Sequence, residues 1–128
     1  MVGANVIKQK VHEVQVPLYG IYIHYSNDPE LILEQYGESL VNNLNGFCCY
    51  DLDNRCIGMH IPHDNGALAI PTLGHEVFHA SMQVGDFVGL EPTLNANEEI
   101  AYLISWLTGW ILDCVDKDVK RELRLNKG

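Results

Sequence analysis

The residues best suited to chemistry are His75-Glu76-Val77-Phe78-His79. In a helix, side chains four apart share a face, so His75 and His79 present two imidazoles to one ion. Zinc accepts imidazole nitrogen readily, and a catalytic zinc keeps three protein ligands and an open position for water. Glu76 follows His75 directly and points beside such an ion rather than at it. A carboxylate there suits a general base that takes a proton from the activated water as it attacks a carbonyl. The plainer alternative is a polar helix face carrying two unrelated histidines, with Val77, Phe78 and Val84 as the core stripe.

A third ligand is available further along. Glu98 and Glu99 lie 19 and 20 positions beyond His79, at the start of another helical pattern. Two antiparallel helices joined by the loop from Gly85 to Asn95 bring that start toward the histidine face. Glu98 lines up with Tyr102, Ser105 and Gly109, a small and polar strip. Glu99 lines up with Leu103, Trp106 and Trp110. The polar strip suits a site holding metal, water and substrate, so Glu98 is preferred and Glu99 is the runner-up. Glu98 has a competing role as partner of Asn95 in a capping box.

The pattern resembles the gluzincin branch of zinc metallopeptidases, and Asn97-Glu98 resembles the Asn-Glu pair of the large zinc aminopeptidases. His75 to Ala80, followed by Glu98-Glu99-Ile100-Ala101-Tyr102-Leu103, also resembles small phage- and prophage-encoded metallopeptidase-like proteins. Those carry HExxHA and then Glu-x-x-Ala-Tyr-Leu on the next helix. The resemblance covers mainly residues 71–112. It implies a minimal zincin fold, one zinc ion and peptidase activity, and its Ala-Tyr-Leu register selects Glu98. One position departs from gluzincins, since Tyr102 stands where many have an acid one turn after the ligand Glu. Orienting an imidazole would then fall to Tyr102, Asp64, Asp86 or a backbone carbonyl. Zincins also set a strand edge beside the metal to pair with an extended substrate. Cys56 to Ile61 is the candidate, with Gly58, Met59 and His60 as substrate contacts.

The other histidines carry weaker signals. His60 and His63 flank Pro62 and are candidate oxyanion donors, although a loop role is the simpler expectation. Tyr102 is a candidate oxyanion or substrate contact. His24 reads as a satisfied, partly buried residue and His12 as an exposed one. Trp106 and Trp110 read as core or interface.

The elements that must position these residues follow from periodicity. Extended structure is expected through Val11–Val16 and Leu18–Tyr25. A helix starts at Asp28-Pro29 and runs to about Asn43. Phe47–Leu52 and Arg55–Pro62 read as a hairpin. The HExxH helix runs from Ala67 or Pro71 to Val84, with Gly85 as its stop, and the last helix from Ala96 to residues 116–118. The expected architecture is a single α+β domain over residues 1–128, with a small antiparallel sheet packed on the two site helices. Residues 1–66 hold strands and one helix, residues 67–118 the metal-site helices, and residues 119–128 a frayed tail.

Composition limits the partners. The 128 residues leave room for one domain. With 8 Lys plus Arg against 17 Asp plus Glu, the formal charge is -9. That argues against nucleic acid or an anionic membrane and leaves a protein or peptide substrate. Cys48, Cys49, Cys56 and Cys114 form no CxxC pair. No leader pattern is read in residues 1–14, so free thiols and a cytoplasmic setting are expected. The apolar run Ile100–Val115 is too short to span a membrane. The expected function is zinc-dependent hydrolysis of peptides. The alternatives are a zincin-derived binding or assembly protein that keeps metal as a staple, and a regulatory protease acting on a repressor-type partner. The sequence sets no oligomeric state.

Overall fold

A computed structural model of the chain describes residues 10–17, 19–38, 45–91 and 96–127. The elements are β1 (His12–Gln15), β2 (Tyr22–Ser26), α1 (Pro29–Gln35), β3 (Phe47–Asp51) and β4 (Cys56–His60). Then come β5 (His63–Asp64), β6 (Ala67–Leu68), α2 (Ile70–Phe87) and α3 (Asn97–Lys127). The fold is α+β, but its main sheet is mixed. The order is β1-β2-β4-β3, with β1–β2 and β3–β4 antiparallel and β2–β4 parallel. A parallel pair needs a crossover between its strands, and the segment containing α1 provides it.

Alternation along β2 and β4 separates two cores. Ile23, Tyr25, Ile57 and Met59 face α2 and α3, packing with Leu73, Val77, Leu107 and Ile111. On the other face, α1 buries Ile32 and Leu33 with Cys49, flanked by Tyr36 and Phe47. Asp28 caps α1 by accepting from the Glu30 amide at 3.0 Å, as the Asp-Pro signal implies. The helix ends at Gln35 with Gly37 in the left-handed region (φ 66). The expected extension to Asn43 runs into residues 39–44, outside the described residues.

Gly58 shows how tightly α1 covers the sheet. A Cβ there would lie 2.6 Å from Tyr36 Cε1 and 2.9 Å from Ile32 Cγ2. Tyr36 cannot move aside freely, because its hydroxyl is hydrogen-bonded to His24 Nδ1 at 2.7 Å. Gly58→Ala is expected to cost about 1–3 kcal/mol by overpacking, measured as a lowered urea midpoint.

Two helix ends differ from expectation. Gly85 does not stop α2. It is the point where α3 comes close, and a Cβ there would meet Ile100 Cδ1 at 3.0 Å. The stop is Gly89 (φ 78). Leu90 N–H donates to Gly85 O at 2.8 Å and Gly89 N–H to Asp86 O at 3.2 Å, the Schellman arrangement. At the other end, residues 119–127 are helical rather than frayed. The buried stripe Leu107, Ile111, Cys114, Val115 continues through Asp118. Lys120 pairs with Asp116 at 3.0 Å one turn back, and Arg124 lies in the last turn, where a cation complements the helix C-terminus. No helix among the described residues is long and apolar enough to cross a membrane.

Candidate metal centre

Helix α2 is two-sided. Leu73, Val77, Ala80 and Val84 face the core, together with Glu76 and Ser81. His75 and His79 point outward. Their Nε2 atoms are 3.1 Å apart, with ring centroids at 4.5 Å and planes at 81°. Tetrahedral zinc with bonds of about 2.0–2.1 Å holds neighbouring nitrogens roughly 3.3 Å apart. The pair therefore fits two ligands of one ion, and without an ion it fits a single N–H···N hydrogen bond.

Glu76 lies beside the pair and underneath it. One carboxylate oxygen is 4.0 Å from His75 Nε2; the Glu76 side chain is only 9% exposed, against 65% for His75. Its other oxygen faces Cys48 Sγ at 3.6 Å, and the same thiol is 3.5 Å from the Glu76 carbonyl. Burial, and then the Glu76 charge, push the Cys48 thiol far above its ordinary range. Cys48 thus stays protonated and donates to the carboxylate. Gly46 lies close against the start of α2, where a Cβ would sit 2.6 Å from Thr72 Cγ2 and 3.5 Å from Glu76 Cγ. Asn45, Gly46, Pro71, Thr72, His75 and Glu76 line an open hollow of about 230 Å³. Sequence reasoning missed Cys48. Nothing local marks it; only the packing of β3 against α2 brings it there.

Glu98 and Glu99 are not brought to the histidines. They line a separate groove of about 530 Å³ with Tyr19, Tyr102 and Trp106. The reason is register: Ile100 packs over Gly85, so the first turn of α3 lies beside the far end of α2. Six residues of helix, about 9 Å, separate Gly85 from His79. Among the described residues, no three His, Cys, Asp or Glu side chains are placed to share a metal ion. Tyr102 is 70% exposed in that groove. The capping partner Asn95 lies outside the described residues.

The proposed substrate strand also needs correction. β4 is paired on both sides, by β2 and β3, so its backbone groups are already used. Gly58 is covered by α1, while Met59 and His60 are 0% and 2% exposed. These three cannot contact a substrate. The free edge on that side, among the described strands, is β3.

The remaining histidines serve the fold. His60 Nδ1 donates to Ser26 O at 3.0 Å. His24 binds Glu13 and Tyr36. His12, expected to be exposed, is buried against Asp118, and His63 faces the same carboxylate. Neither His60 nor His63 is an oxyanion donor to the pair. Trp106 and Trp110 are half-buried against the main core. The four cysteines are free thiols. Comparison with protein-family models, curated proteins and solved structures returns no match.

Proposed function

We propose that the chain is a metal-dependent hydrolase, a zinc peptidase in its simplest form, with His75 and His79 as ligands and Glu76 as general base. One observation carries this reading. Two outward imidazole nitrogens stand 3.1 Å apart on one helix face, beside a carboxylate that the fold buries and holds by a thiol donor. Zinc held there would supply Lewis acidity, bringing the ionisation of water toward neutral pH. Glu76 accepts the proton released and returns it to the leaving amine. Cys48 keeps one carboxylate oxygen occupied and leaves the other toward His75. β3 replaces β4 as the strand that takes an extended peptide, through its outer backbone groups. A phage or prophage setting rests on the sequence resemblance alone.

The assembly-protein alternative expects His60 or His63 to close the ligand shell. His60 bonds Ser26 O and His63 Nδ1 accepts from Gly66 instead, so neither supplies the closed shell that the alternative needs.

The test is elemental analysis of the purified chain, with hydrolysis of fluorescent casein before and after chelation. One zinc per chain and zinc-restored cleavage are expected. A chain that takes up no stoichiometric zinc overturns the reading. Glu98, which the spacing and the Ala-Tyr-Leu register select as third ligand, lies instead in the groove with Tyr102 and Trp106, so it is not assigned to the ligand set. Glu98→Ala and Glu99→Ala are therefore expected to bind zinc as wild type does; a loss of zinc affinity in Glu98→Ala alone would return it to the set.

A further inference from the structure

Asp118 is buried on α3 at 3% exposure, between imidazoles from two other elements. His12 Nε2 on β1 donates to its Oδ1 at 2.8 Å. His63 Nε2 on β5 faces its Oδ2 at 3.5 Å, with the His63 side chain 1% exposed. That second distance is too long for a good hydrogen bond. Both His63 Nε2 and Asp118 Oδ2 are buried without a hydrogen-bond partner among the described residues.

The other side of His63 determines where its proton sits. Gly66 N–H donates to His63 Nδ1 at 3.1 Å. Nδ1 therefore keeps its lone pair, and the neutral ring carries its proton on Nε2, toward Asp118. A second proton can enter only at Nδ1, where it meets the Gly66 N–H. Protonated His63 is attracted to Asp118 but loses the Gly66 bond. That bond spans a tight turn in which Asn65 (φ 51) and Gly66 (φ 91) are both left-handed. The turn rests on α3, since a Cβ on Gly66 would lie 3.3 Å from Val119 Cγ2. The rest of the hairpin is held by the two residue pairs of β5 with β6 and by Asn27, which accepts from the His63 N–H at 2.9 Å and donates to its carbonyl at 3.2 Å, so the Gly66 bond bears on the turn itself.

The surrounding groups do not compete for the proton. Tyr25 on β2 stacks on His12 at 6.0 Å, and burial followed by the Asp118 charge keeps its phenol protonated. Cys114, one turn earlier on α3, is pushed up to about 12 by burial and then by Asp118. Lys117, Asp113 and Lys10 act on Cys114 more weakly. Asp118 is the carboxylate that faces both imidazoles, so a proton added to each of them would leave this cluster with net positive charge.

We propose that His12, Asp118 and His63 form an acid-released latch on the β5–β6 hairpin, the segment that leads into α2. With the His63 ring neutral, Nδ1 holds Gly66 and the turn is closed; with Nδ1 protonated, that bond is lost and the turn is released. The latch is independent of any metal at His75 and His79.

The test follows ring-nitrogen NMR and amide hydrogen exchange on the full chain from pH 8 to pH 5. Neutral His63 is expected as the Nε2–H tautomer. The Gly66 protection factor, corrected for intrinsic exchange, should fall about tenfold from one pH unit above the His63 midpoint to one below, following the protonated fraction. His63→Asn puts a carbonyl oxygen where Nδ1 stands, so it accepts from Gly66 but cannot gain a proton. Gly66 should stay protected throughout in that variant. The latch is overturned by an Nδ1–H tautomer, by pH-independent protection in wild type, or by acid opening that persists in His63→Asn. Simultaneous loss of protection at Ile57 and Met59 in β4 also overturns it, because the event is then global unfolding.

Discussion

Glu76→Gln is expected to leave zinc uptake unchanged and to slow casein hydrolysis by about 10²–10⁴-fold, the usual contribution of a positioned general base. That is about 3–5 kcal/mol of barrier. Gln preserves the shape of the side chain and can still meet Cys48 Sγ, which lies 3.6 Å from the carboxylate. What it cannot do is accept a proton. The loss should therefore fall on kcat more than on KM, and zinc stoichiometry should match wild type. The side chain is 9% exposed, so stability must be measured alongside. Gln buries no charge, and a thermal midpoint at or above wild type is expected. A variant that hydrolyses casein at the wild-type rate would remove Glu76 from the chemistry.

His79→Ala is the complementary case, with metal lost and fold kept. Structural zinc binds its peptides by about 10–16 kcal/mol over four ligands, or roughly 3–4 kcal/mol per ligand. Removing one imidazole should thus weaken zinc by about 10²–10³-fold. His79 is exposed and its polar contact is with His75, so the substitution breaks nothing in the core. Surface changes of this kind stay within about 0.5 kcal/mol. The informative result is the combination: circular dichroism and unfolding midpoint as wild type, with zinc absent after dialysis. His75→Ala should behave the same way. If His79→Ala retains zinc at wild-type affinity, the two histidines are an ordinary N–H···N pair on a polar helix face.

The local readings that succeeded rest on short-range physics. The Asp28 cap, the β3–β4 hairpin and the outward placement of His75 and His79 each depend on residues within four or five positions. Failures came where the partner was distant. The antiparallel sheet became mixed because β2 pairs with β4 across the α1 crossover, a choice that strand alternation does not encode. β4 read as an edge because a strand next to the HExxH helix resembles one, yet its neighbours come from either side in the sheet. The tail read as frayed because it mixes charges. What anchors its approach is Asp118, buried against His12, 106 positions away.

By itself, the sequence determined the chemical inventory: an imidazole pair at helical spacing with a carboxylate between, in an acidic chain of one-domain size. Helix geometry makes that juxtaposition unavoidable once α2 forms. Only the tertiary structure decided what stands around it. Glu98 is kept away by the contact of Ile100 with Gly85, and Cys48 is brought to Glu76 by β3. Four histidines are drawn into the fold and two are left facing outward. Those outcomes depend on which surfaces pack together, and periodicity along one chain says which face is buried without saying against what.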